Sequence, residues 1–321
     1  MIFTFLLCQY VSIGEVTMPK EITHWQVARE TAKAMAGSIG GESALLFPHS
    51  RCLGAIYPDI LYYLPENEAS PSLAHYYHGL DGADTYYLIR QAASLIDDVN
   101  RPGPAWGFLL GLASHIATDT VFHPLVYYLT GNYEARVKEE RIRAVISHRK
   151  LECLIDLFFV GRRNLREITL KGILSNLELP FSTLLQVDLR AHKELPRAVR
   201  TFAFSQDCFS RPAFLRVLAF VHPVFPSSLR QISSLFYHFS LDAYLPLVSG
   251  TTSYRHPVTG EAEEISLPGL FNRAVEKGKE LTESVERSLR SGLPVLPEKG
   301  PSLSFGVEGE PRFFSPIPFS L

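Results

Sequence analysis

The sequence GLASHIATDTVFHP, residues 111–124, places His115, Asp119 and His123 at intervals of four within an otherwise largely apolar run. An α-helix advances about 100° per residue, so these side chains fall within an arc of roughly 80°. Two imidazoles and a carboxylate then share one face of a helix. Burying polar groups without partners costs roughly several kcal/mol, and a divalent cation would compensate them.

A second pair of ligand-type residues repeats this spacing: His148 and Glu152 in SHRKLE, residues 147–152. Zinc accepts imidazole nitrogen and carboxylate oxygen, and about eight such ligands are too many for one tetrahedral ion. The sequence therefore predicts two or three zinc ions, although manganese or iron would suit the same ligand types. Paired metals roughly 3.5–4 Å apart are typical of phosphoester hydrolysis. Further candidate ligands lie in the N-terminal half, namely His24, His49, Asp59, His75 and His78.

The alternative for each single histidine is a hydrogen-bonded core residue, and only the clustering outweighs that interpretation. His256, in RHPVTGE, fits a substrate pocket or a turn beside Pro257 equally well. Four histidines have no ligand-type neighbours and are interpreted as core or surface residues: His49, His192, His222 and His238.

The amino-acid composition is typical of a globular protein with a sizeable core. The 321 residues are 46% hydrophobic and 12% aromatic. A formal net charge of −2 and a pI near 6.6 give no basic footprint, so no long nucleic acid is expected as a partner. The four cysteines show no CxxC pairing and are too few for a disulfide framework.

The first 17 residues, MIFTFLLCQYVSIGEVT, contain a short apolar run without a preceding positive charge or a small-residue cleavage site. We interpret this segment as a mis-called start before Met18, with a weak export or membrane-associated leader as the alternative. No other stretch reaches about 18 uninterrupted apolar residues, so no transmembrane segment is predicted. A cytoplasmic location is the expectation, and an exported or membrane-associated protein is the alternative.

The remaining chain predicts an all-α fold, because helical periodicity recurs throughout and alternating β patterns are scarce. We divide it into a helical core at 18–162, a helical extension packed on that core at 163–292, and an extended or disordered tail at 293–321. Ser253–Glu264 is predicted to be a loop with a turn at Thr259-Gly260.

Several motifs, in chain order, resemble the zinc-dependent phospholipase C family. They are THW at 23–25, YPD at 57–59, HYYHG at 75–79, then HxxxDxxxH and HxxxE. That family includes bacterial phosphatidylcholine-preferring phospholipases C and the amino-terminal domain of glycosylphosphatidylinositol-specific phospholipase D, with S1/P1-type nucleases as distant members. The resemblance spans about 22–156 and implies a multi-helix phospholipase C/P1 nuclease-like bundle with additional C-terminal helices.

The resemblance also implies roles for individual residues. Asp119 would bridge two metals, and Asp59 would act either as a general base or as a ligand. His75 and His78 both occupy the region of one family histidine, and we favour His78. The full set of implied metal ligands is His24, Asp59, His75 or His78, His115, Asp119, His123, His148 and Glu152.

One departure from the family concerns the amino terminus. The secreted bacterial enzymes complete one metal with a mature amino-terminal tryptophan, whereas here Trp25 follows His24. One zinc is then missing or differently ligated. The spacing from Asp119 to His123 is also shorter than in the secreted enzymes and is more similar to that of the phospholipase D relative.

The resemblance implies a zinc-dependent phosphodiester hydrolase that acts on a phospholipid by metal-activated water. One alternative is a nucleotide phosphodiesterase or nuclease-like hydrolase. Another is a non-catalytic, zinc-stabilised helical scaffold in which no coordination position is open.

Overall fold

Helices form nearly all the regular structure in the computed structural model, which describes residues 21–63, 73–79, 82–133, 135–188, 191, 193–211, 213–214 and 226–315. This confirms the predicted all-α class. Among the described residues, short 3-10 helices occur at Leu61–Tyr63 and Phe239–Tyr244, and the strands β1 (Thr251–Arg255) and β2 (Ala262–Ser266) form an antiparallel hairpin. The α-helices are α1 (Glu21–Ala34), α2 (Ile39–Leu46), α3 (Pro48–Gly54), α4 (Tyr57–Ile60), α5 (Leu73–Tyr77), α6 (Tyr87–Ala93), α7 (Pro104–Thr130), α8 (Lys138–Asn164), α9 (Leu170–Ser175), α10 (Phe181–Val187), α11 (Leu195–Phe209), α12 (Pro226–Ser233), α13 (Leu245–Val248) and α14 (Leu267–Ser291).

Helix α7 lies at the centre of the fold and is buried along nearly its whole length. A helix that is apolar on every side requires packing partners all round. Helices α1, α2, α3, α6, α8 and α14 supply them. Two of these partners carry candidate ligands, since His24 lies on α1 and His148 and Glu152 lie on α8. Helix α4, which carries Asp59, also contacts α7.

Two glycines let α3 and α7 approach with their backbones almost in contact. A Cβ atom on Gly111 would lie 2.2 Å from the carbonyl oxygen of Arg51, and one on Gly54 would lie 2.0 Å from that of Phe108. Such distances exclude any side chain at these two positions. The close approach brings the carbonyl of Ala55, just after α3, to 3.0 Å from Nδ1 of His115.

The C-terminal part of the chain packs on the same central helix. Helix α14 contacts both α7 and α1. After α14, the described residues contain no further helix or strand, yet Leu303 is completely buried. The domain boundaries at 162 and 292 stay predictions, and the segment 1–17 lies outside the described residues.

The prediction of a loop over Ser253–Glu264 is wrong except at the centre of that segment. Its two ends belong to β1 and β2, in which Tyr254 pairs with Glu263 and its hydroxyl donates to that carboxylate at 2.9 Å. The strand sequences TTSYR and AEEIS contain few apolar residues, so they show no clear alternation of apolar and polar positions. The turn is at the predicted place, and Gly260 there has a φ of +76°, which favours glycine.

No described helix combines the length and the apolar character needed to cross a membrane. The apolar stretch that comes nearest in the sequence is the buried helix α7.

We predict that Gly111→Ala lowers the free energy of unfolding of the metal-free protein by about 3 kcal/mol, because the new methyl group must displace the backbone of α3. Gly107→Ala is the matched control in the same helix, since its Cβ atom would lie 3.2 Å from the nearest atom. It should stay within about 1 kcal/mol of wild type. Urea unfolding in the presence of a chelator measures both, and equal effects would contradict the close-packing argument.

Candidate metal centre

Five histidines and three carboxylates converge at the centre of the fold, and none is more than 8% exposed. His24 comes from α1, Asp59 from α4, and His78 from the turn after α5. Helices α7 and α8 supply the others. Potential ligand atoms lie within 4.8 Å of one another in three groups: His24, Asp59 and His115; His78, His115 and Asp119; His123, His148 and Glu152.

Asp119 occupies the middle of this cluster. Its Oδ1 lies 3.3 Å from Nε2 of His24 and 3.7 Å from Nε2 of His123. Its Oδ2 lies 3.2 Å from Nε2 of His115 and 3.6 Å from Nε2 of His78. Each carboxylate oxygen thus faces two imidazole nitrogens, which is an arrangement suited to one carboxylate bridging two cations.

Asp59 faces three of the same histidines, namely His24, His78 and His115. Its Oδ1 lies 3.2 Å from Nε2 of His78, and its Oδ2 lies 4.0 Å from Nε2 of His24. Oδ2 is buried and accepts no hydrogen bond from the described residues. This oxygen is therefore available to a metal or to a proton.

The third group joins α7 to α8. Nε2 of His148 lies 2.7 Å from Oε1 of Glu152, and Nε2 of His123 lies 3.5 Å from the same oxygen. The spacing of four residues within each helix places the ligands on facing surfaces. Packing of α7 against α8 then closes the group.

Backbone carbonyls fix the orientation of three of the histidines. A carbonyl oxygen only accepts hydrogen bonds, so the Nδ1 atom that contacts it must carry the proton. In the neutral form of each ring, Nε2 then has a lone pair directed at the carboxylates, as metal-binding histidines require. These contacts are His78 to Ala74 at 2.7 Å, His115 to Ala55 at 3.0 Å and His123 to Leu303 at 2.9 Å.

Unsatisfied atoms at the centre fit a metal. Asp119 Oδ2, His115 Nε2 and Glu152 Oε2 are buried and have no hydrogen-bond partner among the described residues. Within the same part of the chain, the ion-pair partners of the three buried carboxylates are all histidines. Zinc ions would bind these nitrogen and oxygen atoms and balance the buried negative charge.

The electrostatics of the metal-free cluster are strongly perturbed. Burial alone would raise the pKa of Asp119, but His123, His115 and His24 outweigh it and hold that pKa far below its usual range. Burial opposes charge on His115 and His123, yet the carboxylates around them, chiefly Asp119, raise each pKa to about 9. Burial and the neighbouring His115 lower the pKa of His24 to about 4. Burial raises the pKa of Glu152 to about 8.

The structure brings eight of the nine predicted ligands together and distinguishes between the two alternatives at 75 and 78. His78 faces Asp59 and Asp119, whereas His75 belongs to none of the three groups found in the described residues. The ring of His75 lies 5.2 Å from that of Tyr62. The geometry therefore favours His78.

The other histidines and the tryptophan that were considered for the site make structural contacts. His49 pairs with Glu178 at 2.8 Å, and Nε2 of His256 contacts the carbonyl of Phe305 at 2.9 Å. Trp25 is buried and donates its indole N–H to the carbonyl of Cys52 at 2.9 Å. Trp25 is thus a core residue and does not take the place of an amino-terminal tryptophan ligand. His192 and His222 lie outside the described residues.

Asp156 is a buried site residue that sequence analysis missed. Its carboxylate accepts the backbone N–H of Thr23 at 2.8 Å, the Thr23 hydroxyl at 2.5 Å and the Tyr237 hydroxyl at 2.7 Å. It therefore ties the first turn of α1, and with it His24, to α8. A signal was available, since Asp156 continues the four-residue spacing of His148 and Glu152.

A pocket opens beside the cluster, between α1, α7 and α8. His24, Asp119, His123 and Glu152 contribute its polar side. No lysine or arginine lines it among the described residues. Its apolar wall consists of Phe122, Val126 and Ile155.

We predict that loading zinc into the metal-free protein at pH 7 releases protons. The raised pKa values of His115, His123 and Glu152 keep protons on these groups at neutral pH, and zinc binds only their deprotonated forms. Zinc affinity should therefore increase as the pH rises towards 9. Calorimetry in buffers of different ionisation enthalpy counts the protons.

His49→Ala is the control for this measurement, because His49 pairs with Glu178 outside the three groups. It should release as many protons as wild type, whereas His115→Ala should release fewer. Zinc binding without proton release would contradict the electrostatic description of the cluster.

The family model described as zinc dependent phospholipase C matches residues 23–201. No curated protein and no solved structure matches the chain. The matched range contains all eight clustered residues and more than half of the chain. The chain therefore belongs to the zinc-dependent phospholipase C family.

Proposed function

We propose that the protein is a zinc-dependent phosphodiester hydrolase acting on a phospholipid, with the eight clustered residues holding two or three zinc ions. The observation that carries this proposal is the position of Asp119, whose two carboxylate oxygens each face two histidines beside a pocket. When bound in such a site, zinc activates water and stabilises negative charge on phosphorus.

The protein residues have separate tasks in this proposal. Asp119 would hold cations through both of its carboxylate oxygens, each of which faces two histidines. Glu152 and His148 close the third group from α8. Asp59 either completes the ligand set or accepts a proton during hydrolysis, because its Oδ2 atom has no hydrogen-bond partner in the described structure.

Three ligands in each group favour catalysis over a purely structural role. Catalytic zinc typically has three protein ligands and keeps a fourth position for water or substrate, whereas structural zinc uses four. If three ions bind, the eight residues supply about three ligand atoms per ion, because Asp119 offers both carboxylate oxygens. This ligand set leaves coordination positions for substrate.

The apolar wall of the pocket supports a lipid substrate. Phe122, Val126 and Ile155 form this wall beside the candidate ligands His123 and Glu152. An apolar surface next to metal ligands suits a molecule with a phosphodiester at one end and hydrocarbon at the other. Among the residues that the structure describes, no lysine or arginine lines the pocket to contact a nucleic-acid backbone, so a nuclease activity is less well supported.

A zinc-stabilised scaffold without catalysis is the second candidate, and the deep burial of the ligands is the observation that favours it. Ligand residues that are at most 8% exposed leave little room for substrate unless the pocket widens. Activity of the zinc-loaded protein separates the two candidates.

We predict that the zinc-loaded protein hydrolyses phosphatidylcholine in mixed micelles and that Asp119→Asn lowers kcat/KM more than about 100-fold, because several kcal/mol of transition-state stabilisation depend on the metals. Asp242→Asn is the control, since that carboxylate pairs with Arg162 on the surface. Release of phosphocholine, choline or fatty acid identifies the bond that is cleaved.

Three results would count against parts of this proposal. Hydrolysis of nucleotide diesters but of no phospholipid would replace the substrate class. Zinc binding without any phosphodiesterase activity would support the scaffold. Unchanged zinc binding and activity in Asp59→Asn would show that Asp59 has neither proposed role.

A further inference from the structure

A short segment near the C-terminus, residues 299–306, contacts the metal centre through its backbone. The N–H of Leu303 donates to the carbonyl of His78 at 3.0 Å. The carbonyl of Leu303 accepts the Nδ1 proton of His123 at 2.9 Å. One residue therefore joins two candidate ligands that belong to different groups. We call residues 299–306 the C-terminal strap.

Hydrogen bonds hold both ends of the C-terminal strap. At its start, the N–H of Gly300 donates to Asp84 and the hydroxyl of Thr85 donates to the carbonyl of Pro301, both at 2.9 Å. At its end, His256 contacts the carbonyl of Phe305 at 2.9 Å. The strap is thus fixed by residues from both the N-terminal and the C-terminal parts of the chain.

Close backbone packing seats the strap on the two ligand-bearing elements. A Cβ atom on Gly79, next to His78, would lie 3.0 Å from Cα of Ser302. A Cβ atom on Gly306 would lie 2.7 Å from the carbonyl oxygen of Thr120. That carbonyl lacks its usual helical donor because Pro124, four residues later, has no N–H.

Side chains of the strap add apolar contacts behind the ligands. Leu303 is completely buried, and the ring of Phe305 lies 4.8 Å from that of Tyr127. Tyr127 in turn packs 5.9 Å from His123 and 5.3 Å from His148. Displacing the strap would therefore free His123 both from its carbonyl partner and from part of its packing.

We propose that the C-terminal strap is a component of the metal centre that holds His123 and His78 in their ligating orientation, so that zinc occupancy and strap docking stabilise each other. This inference rests on the proposed zinc centre. The strap lies outside residues 23–201, which the family model matches, so the family match does not assign it. Partners that orient metal-binding histidines typically change metal affinity about 10–100-fold when they are removed.

Gly306→Ala tests the proposal with a matched control. Gly306 and Gly292 have φ values of +71° and +66°, so alanine is conformationally strained at both positions. Only at Gly306 does the new methyl group meet Thr120, whereas nothing lies within 4 Å at Gly292. We expect Gly306→Ala to weaken zinc affinity about 10-fold or more and Gly292→Ala to leave it unchanged, measured by competition with a chromophoric chelator. Equal zinc affinities in the two variants would overturn the proposal.

If Gly306→Ala does not fold, hydrogen exchange of the wild-type protein tests whether zinc binding and strap docking are coupled. Coupling between two sites is reciprocal, so zinc that is stabilised by the strap must also stabilise the strap. Zinc should slow amide exchange in residues 299–306 more than in the neighbouring residues 307–315. Amide exchange rates in the strap that do not change when zinc is added would overturn the proposal.

Neither measurement involves a phospholipid, so the two proposals fail separately. A protein with zinc-coupled strap exchange but no hydrolytic activity would refute the proposed function alone. An active enzyme in which zinc does not change amide exchange of the strap would refute only the proposal about the strap.

Discussion

Three carboxylates buried in the core, those of Asp59, Asp119 and Glu152, are the constraint on which the rest of the structure depends. In the described part of the chain their charged or chargeable partners are histidines only. Removing an ion from water costs several kcal/mol even after relaxation, and neutral imidazoles do not balance that charge. Either protons or metal ions must enter with the carboxylates. Zinc supplies more charge per site and binds the same nitrogen and oxygen atoms.

Holding such ions requires ligand atoms fixed to a fraction of an ångström, and the fold provides this through backbone contacts. Gly54 and Gly111 allow α3 to approach α7 until a carbonyl reaches His115. Asp156 fixes the start of α1 to α8 and thereby places His24. These contacts are made by buried backbone and side-chain atoms of the protein itself, so the imidazoles are oriented before any metal arrives. The protein fold thus contributes preorganisation, and the metal contributes charge.

Local spacing was sufficient to predict the helices that carry most of the site. The four-residue intervals of His115, Asp119 and His123, and of His148 and Glu152, predicted both the helical geometry and the shared faces that the structure shows. Asp59 and His78 were different, because nothing in their local sequence indicates that they approach Asp119. Their inclusion depended on the order of motifs along the chain, which resembles that of a known family.

Contacts made by backbone atoms could not be predicted from the sequence. The carbonyls of Ala55 and Leu303 orient two histidines, yet any residue type has a carbonyl, so these positions carry no compositional signal. Leu303 lies 180 residues from His123 along the chain. It belongs to the tail at 293–321, whose proline, glycine and serine content predicted an extended or disordered segment. The hairpin of β1 and β2 was missed for a similar reason, since its short strands gain their pairing from contacts that the local pattern does not record.

Anomalous X-ray diffraction at the zinc absorption edge, from crystals of untagged and zinc-loaded protein, tests most directly whether the clustered residues hold zinc. We expect two or three zinc peaks about 2 Å from the nitrogen and oxygen atoms of the clustered residues around Asp119. A zinc-loaded crystal with no anomalous peak among these residues would contradict this expectation.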